Sequence, residues 1–279
     1  MKFKSIFILF NIILVFAFAF IFFMPFAFLG GAYSMTFWSK NWPLFLFFIA
    51  VLAGFNAFFI SNWKMFRLLE SEDWTALASL LEDRVFKKKR YDRRTIRLLV
   101  NTCLLKGDMA AIERAEDILR QHKPSALRRD AVLFGAARLL KNDAEASVAF
   151  LSEFSDGKGV ENQAWIVFYY GFSLVLSKRA ADASPRLESS LSAKDPVLAL
   201  LSAYVLGTLC ASASKPAEKK RLIELAERTR ADIADRYKGA SQGRSRWSRE
   251  MERAKSEIHI VILSKILDEA SDWLMKPSV

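Results

Sequence analysis

Histidine, the side chain best suited to proton transfer and metal ligation near neutral pH, occurs twice in the 279 residues. His122 closes a helical pattern beside Lys123-Pro124 and is expected to face water. His259 lies inside an apolar run near the C-terminus. Neither has a second His, a Cys or a carboxylate at metal-ligand spacing, so the pattern indicates no metal site. Cys103 and Cys210 fall at helix-packing positions with no base beside them, and they read as small hydrophobes and not as nucleophiles or a disulfide. The run Gly239-Ala-Ser-Gln-Gly243-Arg-Ser245 is rich in Gly and Ser and precedes a helix, with Ser245 as its N-cap candidate. It lacks the spacing and the Lys of a phosphate loop, and Gly157-Lys158-Gly159 reads only as a turn. The carboxylates are spread over what look like solvated helix faces. Glu70, Glu72 and Asp73 stand where a helix should begin, which suits its dipole. The expectation is therefore no catalytic, metal-binding or cofactor-binding residue, and a protein that is not an enzyme.

With no chemistry to position, the informative features are the elements themselves. Seventeen of the 24 Phe precede residue 61, whereas no Asp or Glu occurs before Glu70. The first 60 residues thus have a lipid-type composition and the remainder a charged, water-soluble one. Two apolar runs, about 6–29 and 43–63, are long enough to cross a bilayer as helices, with Trp42 and Trp63 as headgroup-level brackets on the second. A cleaved signal peptide is the alternative for the first run, but its apolar core exceeds the usual 7–15 residues. Lys2 and Lys4 precede the first run, Lys40 alone lies in the connection, and Lys64 and Arg67 follow the second. The positive-inside rule then places both termini in the cytoplasm of a multi-pass inner-membrane protein. Asn11 and Asn56 are the strongly polar residues inside the apolar cores 6–29 and 44–60. They would bond the helices together, line a conduction path, or be tolerated in a simple anchor.

From Lys64 onward apolar residues recur at intervals of three and four, punctuated by Gly107-Asp108, Pro124, Asn142-Asp143, Asp195-Pro196 and Pro216. The pattern predicts nine or ten helices and no strand, an all-α class. Gly135, Gly171 and Gly207 are spaced by 36, and Leu151, Leu187 and Ile223 keep the interval sixteen residues further on. Each unit is two short helices. On these residues the stretch 71–226 resembles the tetratricopeptide-repeat family, in which a small residue lets paired helices approach closely; Gly135, Gly171 and Gly207 match that role. Ala131, Val167 and Ala203 stand where the family has an aromatic residue, and the period is 35–36 rather than 34. The resemblance implies a degenerate α-solenoid over 64–237 that binds a protein partner. A plain helical bundle is the alternative. A long apolar helix over 245–274 is expected to cap the open end of the stack, or else to dock on another chain or the membrane.

The charge of +11 is concentrated. Arg84, Lys87, Lys88, Lys89, Arg90, Arg93, Arg94 and Arg97 are opposed within their own stretch by Asp92 alone. This cluster is expected to face the anionic inner surface of the membrane; a solvated turn is the plainer reading, and nucleic acid fits less well because only Phe86 and Tyr91 are interleaved. The functional expectation is a membrane-anchored scaffold for protein–protein interaction. The alternatives are a non-catalytic accessory subunit of a membrane enzyme or transport complex, and a lipid- or nucleic-acid-binding module.

Overall fold

The computed structural model describes residues 3–141, 143–157, 159–237 and 242–275. Among them every regular element is helical, as the periodicity implied. The chain divides into two compact units, Met1–Leu80 and Leu81–Val279.

The first unit is a helical hairpin. Helix α1 spans Phe3–Leu29 and α2 spans Gly31–Glu70. Both are long and apolar enough to cross a membrane, and the most apolar stretch of each is unburied within the protein, unlike a core helix of a water-soluble fold. Helix continues through most of the 30–42 connection between the two apolar runs. The chain turns at Gly30, at φ +78°, a conformation that costs an achiral residue little. Residues 31–40 then turn straight into helix, which lets Trp38 stack on Phe22 at 4.9 Å. The break falls later, at Asn41 (φ −112°, ψ 21°), two residues before Pro43, whose ring and missing N–H disrupt the preceding turn. Phenylalanines line the seam. Phe10 and Phe55 lie 4.1 Å apart between centroids, Phe7 and Phe59 4.9 Å, and Phe3 and Phe66 5.4 Å. Asn56 Nδ2 donates to Asn11 Oδ1 at 2.9 Å, and to the Leu52 carbonyl one turn back. Lys2, one of the residues used for orientation, lies outside the described residues.

Helix α3 (Trp74–Glu82) runs into a wide π-helical turn at Asp83–Lys87. The second unit then continues as α4 (Arg93–Lys106), α5 (Met109–His122), α6 (Pro124–Arg129), α7 (Ala131–Leu139), α8 (Ala144–Ser155), α9 (Gln163–Leu176), α10 (Ala180–Ser190), α11 (Pro196–Val205) and α12 (Pro216–Arg236). Aspartates start four of these helices. Asp92, Asp108, Asp143 and Asp195 each accept a hydrogen bond from a backbone N–H of the first turn, satisfying donors that a helix start leaves orphaned. Gly107, left-handed at φ +72°, ends α4.

Consecutive helices pair as α4 with α5, α7 with α8, α9 with α10 and α11 with α12, and the first members also pack in order, α4 on α7, α7 on α9, α9 on α11. The second members are bridged by ion pairs: Arg120–Glu153 at 2.6 Å, Arg186–Asp156 at 2.7 Å and Arg221–Glu188 at 2.5 Å. Glycines mark the close approaches within pairs. A Cβ on Gly135 would overlap the Leu151 side chain, and one on Gly171 would stand 2.9 Å from Leu187 Cγ. The third position departs from the interval. A Cβ on Gly207 would stand 2.8 Å from Ala226 Cβ, while Ile223 is exposed. Residues Leu206–Cys210 form a π-helical turn, whose extra residue shifts the register of the helix beyond it.

The expected single helix over 245–274 is broken into α13 (Gln242–Lys255), α14 (Ile258–Val261) and α15 (Ser264–Met275). Helix α13 therefore starts before Ser245, which does not cap it. The bend near Ser256 returns the chain on itself, so that Trp247 Nε1 donates to Ser271 Oγ at 2.8 Å and Lys255 meets Asp268 at 2.9 Å. These helices do more than close one end. Helix α14 packs on α7, α13 on α11, and α15 on α11 and α12, leaving α7 and most of α11 buried all round. Asn142, Lys158 and the Gly239–Ser241 part of the Gly- and Ser-rich run lie outside the described residues.

Candidate functional site

Two polar constellations stand out in the second unit. The first surrounds Asp130, at the junction of α6 and α7. Its carboxylate is fully buried. Arg97 Nε from α4 donates to Oδ1 at 2.9 Å, and Arg129 donates to Oδ2 through Nε at 3.0 Å and Nη2 at 2.7 Å. A buried carboxylate needs such partners, because an unpaired charge in a low-dielectric interior is strongly unfavourable. A cavity of about 80 Å³ adjoins the group, lined by Arg97, Asn101, Arg129, Asp130 and His259 among others, with room for two or three waters. Asn101 Oδ1 is buried there without a protein donor.

His259 reaches this place on α14. Tyr169 of α9 donates its hydroxyl proton to the His259 carbonyl at 2.6 Å and stands 3.1 Å from Nδ1. With that proton committed, Nδ1–H is the donor in the second contact, which assigns the tautomer. The Trp165 indole meets the imidazole edge-on at 5.1 Å. Burial, reinforced by the Arg97 charge, lowers the His259 pKa to about 4, and burial raises that of Tyr169 well above its ordinary value. Neither group exchanges protons near neutrality, so the pair acts as a hydrogen-bonded lock on the C-terminal helices.

The second constellation is the basic cluster from Arg84 to Arg97, which the fold divides. Lys87 and Lys88 share Asp83 at 3.3 and 3.2 Å, Arg93 pairs with Glu161, and Arg97 turns in to Asp130. Arg84 is half-buried and engaged. The opposing carboxylates come from outside the cluster's own stretch, which is why counting within it left Asp92 alone. Hydrogen bonds from Lys88 and Lys87 hold the Asp83 pKa below its usual value. Asp92 is lowered too, by the Thr95 hydrogen bonds acting against its own desolvation. Lys89, Arg90 and Arg94 remain exposed.

The other sequence-selected residues are not brought into one site. His122 is exposed and stacks on Tyr91 at 6.4 Å. Cys103 and Cys210 are buried and free. Burial pushes the Cys103 thiol up to about 12 and raises Cys210 as well, which suppresses the thiolate. Among the described residues no group of three or more His, Cys, Asp or Glu is placed to hold a metal ion. Asp130 and Tyr169 had no signature of their own in the sequence. The one available signal was interval: Arg97–Asp130, Arg120–Glu153 and Glu188–Arg221 are all 33 residues apart, opposite charges repeating at nearly the period of the glycines.

The chain is 28% identical over 237 residues to an uncharacterized protein of Treponema pallidum (strain Nichols), an alignment covering 82% of this chain and 74% of that one. No solved structure matches it. A family model described as "Uncharacterised Treponema protein" matches residues 111–276, more than half of the chain and the region that holds α7 to α15, so the chain belongs to that family.

Proposed function

We propose that the protein is a membrane-held interaction scaffold: α1 and α2 cross the inner membrane with both termini in the cytoplasm, and the helical body is a tetratricopeptide-like α-solenoid offered to a protein partner. The observation that carries this reading is the pairing of two bilayer-length apolar helices with a body whose helical pairs pack in chain order. Such an arrangement makes an extended surface in place of a closed core. The surface left for a partner is that of the second helices. Of the first helices, α7 is covered by α14 and α11 by α13 and α15. Surface charge supports recognition there, since the ion pairs bridging α5, α8, α10 and α12 are largely exposed.

A reporter active only outside the cytoplasm, fused after residue 279, is expected to stay silent, and activity would overturn the orientation. Replacing residues 1–63 by an unrelated two-span anchor tests the role. Retained function supports the scaffold. Lost function, with the chain still in the membrane, supports an accessory subunit whose α1 and α2 touch partner helices.

A further inference from the structure

The basic stretch after residue 83 does not stand alone. The ring stack of Tyr91 on His122 ties the turn at 88–92 to the end of α5. The Arg97–Asp130 pair ties α4 to the end of α6, and the Arg93–Glu161 pair ties its first turn to the segment before α9. Residues 88–94 and 121–128, some thirty apart in sequence, therefore form one edge of the second unit. Arg93 and Arg97 are spent in holding that edge together. Lys89, Arg94, Lys123 and Arg128 are exposed and make no ion pair among the described residues, and Arg90 lies near enough to Asp92 to help lower its pKa. Lys89 adopts φ +50°, a conformation a non-glycine residue takes mostly in tight turns.

We propose that this edge, carrying Lys89, Arg90, Arg94, Lys123 and Arg128, docks on the phosphate-bearing surface of an anionic bilayer. The inference rests on the membrane-held reading above and adds to it the surface that meets the lipid. Charge complementarity carries it: five exposed cations face outward, while the nearby acids Asp83, Asp92 and Glu161 are already engaged. Docking is by adsorption and not insertion, because Leu105 is the one exposed large apolar residue between 83 and 130, and it stands at the far end of α4. Nucleic acid is disfavoured by the aromatics. Tyr91 is stacked on His122, and Phe86 lies under the Arg114 guanidinium at 5.6 Å, so each of the two interleaved aromatics already has a partner within the protein. Each cation held at an anionic leaflet contributes about a fivefold factor to association, lost beyond a Debye length of roughly 8–10 Å.

The test uses the full chain in lipid nanodiscs, with a fluorophore on Gln121→Cys. That exposed neutral position labels selectively because Cys103 and Cys210 are buried. The quencher is a nitroxide on the lipid headgroup. Quenching is expected in discs containing about one-third phosphatidylglycerol, falling to the level of pure phosphatidylcholine discs at about 1 M salt, where the Debye length shrinks to roughly 3 Å. Joint substitution Lys89→Ser, Arg90→Ser, Lys123→Ser and Arg128→Ser is expected to abolish the difference, and Lys89→Arg with Lys123→Arg to preserve it. Equal quenching in neutral discs overturns the inference. So does insensitivity to the serine substitutions, or duplex binding that these substitutions abolish while quenching persists. A chain that stays in the discs but is unquenched refutes this docking alone. A chain that washes out of them refutes the membrane-held reading and this inference together.

Discussion

His259 is the residue whose burial has the clearest thermodynamic consequence. Its folded-state pKa of about 4 lies below the ordinary 6.5. The unfolded chain thus binds a proton that the folded chain rejects, and stability rises with pH between those values. The stabilisation is fully present above about 6.5 and is lost as pH falls towards 4. The difference corresponds to something on the order of 3 kcal/mol. The groups around the imidazole explain the sign. Tyr169 and Trp165 desolvate it, the Arg97 charge opposes protonation, and Arg129 adjoins the same cavity. The negative groups at hand are Asp130, already shared by the two arginines, Asp195, which accepts from Trp165, and Glu250 and the exposed Glu257. Thermal unfolding of the full chain in detergent between pH 7 and pH 4.5 should show this loss. His259→Gln should flatten that component of the profile, and an unchanged profile in the variant would remove His259 as its source.

At the scale of elements, the close-approach glycines and the paired asparagines make separable predictions. Leu187 stands 2.9 Å from where a Gly171 Cβ would be, so Gly171→Leu should destabilise by about 1–3 kcal/mol or more through overpacking. Gly171→Ala combined with Leu187→Ala should cost less than the two changes summed, because the space is shared. Strict additivity in denaturant unfolding would show that the helices do not meet there. In the hairpin, a double-mutant cycle of Asn11→Leu and Asn56→Leu in mild detergent should return a coupling of about 0.5–2 kcal/mol; no coupling would mean that the 2.9 Å contact is replaceable. Both features were legible in sequence to different depths. The 36-residue interval located Gly135 against Leu151 and Gly171 against Leu187, because an unbroken α-helix keeps register. At Gly207 the interval points to Ile223 whereas Ala226 is the residue met, and the π-helical turn there has no sequence signature that periodicity can read. Composition marked 30–42 as the connection between the spans but did not report its backbone, which with Gly30 making the turn continues as helix.

At the scale of the whole molecule, class and order of elements followed from hydrophobic period and from the Asp, Gly and Pro punctuation, which report on local backbone demands. What stayed hidden was long-range. Nothing local in Ile258–Met275 says that it lies along α7 and α11 as well as closing the last pair, and nothing local in Arg97 says that it turns inward to Asp130. A run of like charges is an average over partners that the fold supplies, and here Asp83, Glu161 and Asp130 come from outside that run. The same long-range placement has a temporal side. Tyr169 and the residue that locks it are 90 positions apart. At about 5–20 residues per second of synthesis, Trp165, Tyr169 and the inward faces of α7 and α11 wait roughly 5–20 s for their cover, while α1 and α2 emerge well before them. The nascent body therefore passes through an interval as an uncovered apolar sheet of helices at its place of synthesis. Its vulnerability to aggregation, and to any holding factor that recognises such surfaces, ends when α14 and α15 arrive.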